Sequence, residues 1–146
     1  MNPKEVLKTH FLSGLEARSP SKAVKSAAVR DENHLIIDDE AFDLDHQPVY
    51  VFAVGKAAVP MFEAVDAILG EYVQHSLVIT PDSKQARDCR ADEVIIGSHP
   101  VPDDRSLEAG QKAVAFFKQI PENALVLNLL SGGTSSLMCY PSEEIT

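Results

Sequence analysis

Three short stretches of this chain carry residue types that could do chemistry. The first is Ser131-Gly132-Gly133-Thr134-Ser135-Ser136, six small residues that follow an apolar run at 124–130. Two glycines are free to take positive φ, and four hydroxyls stand among them. A loop of this composition can aim backbone N–H groups at one point and hold a phosphate or a carboxylate. The second stretch is Gly55-Lys56-Ala57-Ala58. Lys56 falls at a helix start, where the macrodipole disfavours a cation by about 0.3–1 kcal/mol. A bound anion reverses that sign and uses the free amides of the first turn. The alternative is a solvated surface lysine whose cost is screened. The third stretch is His99-Pro100-Val101-Pro102-Asp103, in which two prolines fix the path. His99 could be a general base, a substrate contact, or a turn residue bonded to its own backbone. Asp103 or Asp104 suits the cap of the next helix, with a magnesium contact as the other reading.

Several chemistries lack their pattern. Neither GxxxxGK[ST] nor GxGxxG occurs, so no standard nucleotide loop or dinucleotide fingerprint can be read. Ser131 and Ser135 lack the GxSxG turn of a nucleophilic serine. Cys139 has no adjacent histidine or cation to activate it and reads as packing. Asp38-Asp39-Glu40 reads as a solvated turn, and no metal-ligand set is predicted.

The elements that must position these stretches follow from apolar periodicity. Asn2-Pro3 starts a helix that carries Val6, Leu7, Phe11, Leu12 and Leu15 and runs to about Arg18. A second short helix is expected over 22–29. Residues 34–38 and 41–45 suit a hairpin or two edge strands. Residues 49–54 form a strongly buried strand, and a helix from 56 to about 72 follows it. Residues 77–80 make the next strand, ended by Pro81-Asp82-Ser83, with a polar connection over 87–92. A strand at 93–97 leads to a helix over 105–118, whose inner face is read as Leu107, Gly110, Val114 and Phe117. The run at 124–130 reads as a strand buried on both faces. His10, His34, His46 and His75 are expected at the surface. Strand–helix alternation predicts an α/β fold, a parallel sheet flanked by helices in three Rossmann-like layers. All three unusual stretches then sit beyond the carboxyl ends of strands, where ligands gather in such sheets.

The chain has 146 residues, the size of one domain, and is 45% hydrophobic. No apolar run approaches the roughly 20 residues of a membrane span, and the amino terminus is unlike a signal peptide. The net charge of −9 argues against a nucleic-acid partner, which needs a basic footprint. Two distant cysteines, Cys89 and Cys139, are expected as free thiols in a reducing cytoplasm. Ile145-Thr146 resembles the approach to another helix, so a longer polypeptide is expected.

Taken together, the motifs resemble those of the glycerate 2-kinases of the MOFRL type. The residues concerned are Gly55-Lys56-Ala57-Ala58 with Met61, His99-Pro100-Val101-Pro102-Asp103 with Ser106, and Leu130 through the loop to Leu137. The resemblance spans the chain from about Val49 onward. It implies that residues 1–146 are the amino-terminal portion of a larger α/β/α domain, with a smaller carboxyl-terminal domain absent. It implies phosphorylation of D-glycerate at the 2-hydroxyl with ATP and magnesium, and it allows a homodimer. Lys56 matches the family's functional lysine. Ser131, Gly132, Gly133 and the hydroxyls of Thr134, Ser135 and Ser136 match its phosphate- or substrate-binding loop, and His99 and Asp103 match a further motif. Thr134 and Ser136 stand where glycine and alanine are commoner, and Met138-Cys139-Tyr140 replaces a Leu-Pro-Ala run. On this view the chain alone is not a competent kinase. The residues themselves leave two rivals open: a phosphate-binding domain like those of sugar-phosphate isomerases, and a non-catalytic ligand-binding module.

Overall fold

The computed structural model describes residues 2–17 and 19–142. The expected helix end at Arg18 and the helix approach at Ile145-Thr146 lie outside the described residues. Helix α1 (Pro3–Ala17) starts as the sequence requires, with the Lys4 N–H donating to Asn2 Oδ1 at 3.0 Å. It buries none of its side chains, and Leu7 and Phe11 are 71% and 66% exposed. Helix α2 (Pro20–Ala27) is capped by Ser19, whose hydroxyl accepts the Lys22 N–H, and it has Pro20 in its first turn.

The chain then forms a small antiparallel sheet of β1 (Ala28–Asp31), β2 (His34–Ile37) and β3 (Glu40–Asp43). The helix expected over 22–29 therefore ends at Ala27. Residues from Ala28 on pair instead with β2, where each residue gains a ladder partner and Leu35 becomes 1% exposed.

The main sheet is wholly parallel. Its elements are β4 (Val49–Val54), α3 (Ala58–Leu69), a single 3-10 turn (Gly70–Tyr72), β5 (Val73–Thr80), α4 (Ser83–Asp88), β6 (Glu93–Ile96), α5 (Asp104–Lys118), β7 (Leu125–Leu130) and α6 (Thr134–Leu137). The spatial order is β6-β5-β4-β7. Period-two alternation on β4 divides the core. Val49, Val51 and Ala53 pack with Phe62, Val65 and Leu69 of α3 and with Val24 of α2. Phe52 and Val54 face Ala109, Ala113 and Phe116 of α5 and Leu137 of α6. Helices thus cover both faces, and the three-layer expectation holds.

Four expectations are corrected. Among the described residues strand β7 is an edge strand, paired only with β4, and it is not buried on both faces. Leu125, Leu127 and Leu129 pack on the α3 side, while Asn128 and Leu130 are exposed on the other, Leu130 at 61%. Helix α5 turns a different face inward, through Ser106, Ala109, Gly110, Ala113 and Phe116. Small residues there let the helix axis approach the sheet and leave room for the Phe116 ring. The polar connection after β5 contains α4, nucleated by Asp82, whose carboxylate accepts the Lys84 and Gln85 amides. His75 is not a plain surface histidine: its ring stacks 5.7 Å from Phe116, and its Nε2 lies 3.2 Å from Glu93.

Phe116 touches Tyr50, Phe52, His75 and Phe117 and is 1% exposed. Phe116→Ala should therefore lower unfolding stability by about 3–5 kcal/mol. In the same chain, Phe11→Ala on the open face of α1 should change it by less than about 0.5 kcal/mol. Chemical denaturation of both variants checks the contrast.

Candidate functional site

The sheet order fixes where a ligand can go. The chain leaves β4 toward β5 and β6, then returns across the sheet to β7 on the other side of β4. The carboxyl ends of β4 and β7 therefore flank a point where successive connections diverge, and such points form crevices. Gly55-Lys56 leaves β4 there, and the glycine-serine stretch leaves β7 there.

Backbone bonds stitch these two exits together. The Ser131 N–H donates to Val54 O at 3.0 Å, and the Lys56 N–H donates to Gly132 O at 3.0 Å. Ser131 Oγ accepts the Ala57 N–H at 3.0 Å. The approach is close enough that a Cβ on Gly55, at φ +124°, would lie 2.6 Å from Ser131 O. Thr134 Oγ1 donates to Ser131 O at 2.8 Å, and Ser136 Oγ donates to Gly133 O at 3.0 Å. Three of the four hydroxyls therefore shape the turn itself, and Ser135 is left exposed. Among the described residues the amides of Gly132, Gly133, Thr134 and Ser135 take no acceptor. The unused donors of the stretch thus lie in its backbone more than in its hydroxyls. Residues 134–137 also coil into the short α6 instead of staying an open loop.

The third stretch reaches the same rim. A methyl group built on Gly133 would stand 3.0 Å from His99 Cδ2, 3.3 Å from His99 Nε2 and 3.6 Å from Lys56 Cε. Lys56 and His99 therefore both stand beside Gly133, within the run of free amides, and nothing lies within 4 Å of a methyl group built on Gly132. Lys56 is exposed and His99 half-buried. The His99 ring makes no hydrogen bond among the described residues, which removes its reading as a backbone-bonded turn residue.

Asp103 does a different job. Its carboxylate caps α5 by accepting the Arg105 N–H at 2.9 Å and is gripped by the Arg105 guanidinium, Nη2 to Oδ2 at 2.8 Å. That grip holds the Asp103 carboxyl down at about 2, from an ordinary value of 3.8. Arg105 Nη2 also reaches Ser98 Oγ at 3.2 Å, beside His99. Arg105 and Ser98 were not singled out by the sequence. A charged residue two positions after a capping aspartate is the signal that could have found Arg105. No three His, Cys, Asp or Glu side chains cluster as a metal cage among the described residues.

Comparison with known proteins agrees with the motifs. The family model described as a domain of unknown function, DUF4147, matches residues 6–146. The chain belongs to the DUF4147 family. It is similar to the glycerate 2-kinase of Pyrococcus horikoshii, 31% identical over 132 residues, covering 90% of this chain and 29% of that protein. It is 32% identical to the D-glycerate 2-kinase of Thermotoga maritima over 132 residues, covering 90% of this chain and 28% of that one. A crystal structure of a Pyrococcus horikoshii OT3 protein superposes with a TM-score of 0.83 at 29% identity, covering 100% of this chain and 33% of that chain. A crystal structure of glycerate kinase from Thermotoga maritima gives 0.76 at 29% identity, covering 99% and 32%. The chain thus spans under a third of the length of the curated kinases it matches. The family resemblance read from the motifs is borne out.

Two outcomes follow for this DUF4147 chain. Gly133 sits at φ +98° with His99 against it, so Gly133→Ala should cost about 1–3 kcal/mol of stability. Gly132→Ala, with open space around it, should cost less than about 0.5 kcal/mol, and denaturant titration separates the two. For Asp103 the folded value lies below the unfolded one, so its stabilisation is present above about pH 3.8 and is lost as pH falls toward 2. Asp103→Asn keeps a good capping residue but removes the charge. Its stability should depend less on pH than that of the parent between pH 4 and pH 2, as thermal melts across that range would report.

Proposed function

We propose that this chain is the amino-terminal part of a cytoplasmic kinase that transfers the γ-phosphoryl group of ATP to the 2-hydroxyl of D-glycerate. The observation that carries this reading is the approach of Lys56 and His99 to Gly133, within the free amides of 132–135, at the switch point between β4 and β7. The names of the Pyrococcus and Thermotoga relatives support the substrate.

In phosphoryl transfer the substrate oxygen forms a bond to the γ-phosphorus as the bond from that phosphorus to the β–γ bridging oxygen breaks. The hydroxyl proton leaves to a base. Little covalent work falls to the protein, and catalysis rests on positioning and on neutralising charge. The Lys56 ammonium and the amides would hold the carboxylate of glycerate or the transferring phosphate. His99, beside both, would contact the substrate near its hydroxyl. Ser131, Thr134 and Ser136 would keep the amides aimed, and Asp103 would fix the turn that presents His99. Magnesium, arriving with the nucleotide, supplies neutralisation of the phosphate oxygens. No metal-binding step is assigned to residues of this chain.

The test is made on the complete polypeptide. Glycerate-dependent ATP consumption is expected, and no turnover of sugar phosphates in its place. Lys56→Ala should lower kcat/KM for glycerate at least tenfold, the scale of one charged contact of about 1.4 kcal/mol. Unchanged turnover would remove Lys56 from the mechanism. Calorimetric binding of glycerate without any ATP consumption would favour the non-catalytic module.

A further inference from the structure

Ser106 is fully buried at the first turn of α5, and its hydroxyl joins the loop that carries His99 to the loop that carries Gly133. Ser106 Oγ donates to Ser136 O at 2.6 Å. It accepts the Ser98 N–H at 3.3 Å and the Asp103 N–H at 3.4 Å. The backbone of the same residue accepts the Cys139 N–H at 3.0 Å. One side chain thus ties both ends of the His99 loop, residues 98 and 103, to α6, and its carbonyl ties down the segment after α6. No other hydroxyl among the described residues bridges these two loops. The capping of α5 needs only an acceptor for the Asp103 amide, which does not account for the short bond to Ser136 O.

We infer that Ser106 is a positioning residue of the rim site: it sets the separation between the His99 ring and the 132–135 amides without touching the ligand. The placement rests on the anion-site reading above, but the coupling of the loops can be measured apart from it. Removing the hydroxyl leaves the buried Ser98 amide, the part-buried Asp103 amide and the Ser136 carbonyl short of a partner. The local remedy is for the two loops to move apart, toward water. His99 then shifts relative to Gly133, though neither residue has been changed.

The experiment compares Ser106→Ala with Ser76→Ala in the complete polypeptide. Ser76 is an equally buried hydroxyl, bonded to Asp92 at 2.6 Å, but it lies at the amino-terminal side of the sheet, away from the rim. Both variants lose stability. Only Ser106→Ala is expected to move the His99 ring resonances and the Gly132 and Gly133 amide resonances, and to weaken binding of inorganic phosphate about tenfold. If Ser106→Ala does not fold, Ser106→Cys, of similar size and a weak donor, takes its place in the comparison. Resonances and affinity that change no more than in Ser76→Ala would overturn the assignment. If the parent protein binds no phosphate, the anion-site reading fails, and the His99 and Gly133 resonances still decide whether Ser106 couples the two loops.

Discussion

The parallel pairing of β4 with β7 is the constraint on which the site depends. Six residue pairs in register, Val49–Leu125 to Val54–Leu130, bring the two strands to their ends at the same level. The chain then leaves each strand in a turn, and the next hydrogen bonds already join turn to turn: Ser131 N–H to Val54 O, then Lys56 N–H to Gly132 O. A lysine and a run of open amides, distant in sequence, become neighbours through the backbone alone. Their meeting is set by the backbone, so the amides are held in place by the sheet itself, whereas the exposed Lys56 side chain keeps its rotamer freedom.

The third contributor depends on a different kind of link. His99 follows β6, the far edge of the sheet, and it meets Gly133 because the segment after β7 folds back across the strand ends, bringing Leu137 against Gly97. Two prolines stiffen its loop, and the Asp103–Arg105 pair with Ser98 and Ser106 pins both of its ends. A rim built from the exits of one central strand, β4, and of the two outer strands, β6 and β7, is wider than a single loop could make.

Much of this was legible in the sequence because it rests on local rules. Alternation in VYVFAV, the helix spacing after it and the small residues after Leu130 each announce an element, and a parallel α/β sheet follows from their order. What escaped was decided by partners far along the chain. Ala28-Val29 could continue a helix, and only β2 makes it a strand. The inner face of α5 could not be chosen by hydrophobicity, since Leu107 and Phe117 are larger and more apolar than Ala109 and Ala113, which the close approach to the sheet selects. The loop hydroxyls looked like ligand donors, because composition reveals that a group can bond but not to what. The Thr134 and Ser136 hydroxyls donate to Ser131 O and Gly133 O within the turn, and that of Ser131 bonds the exit of β4. The run at 124–130 had the apolar content of an interior strand and sits at the margin of the described sheet.

That last feature sets how this stretch of polypeptide behaves in the tube. The outer side of β7 offers a row of backbone donors and acceptors at strand spacing, with Leu130 open beside it. It carries no lysine, proline or bulge of the kind that blunts an exposed margin. Concentrated preparations of the isolated 146-residue piece will tend to zip together along this seam. A charged residue in place of Asn128 is the gentlest way to keep them apart.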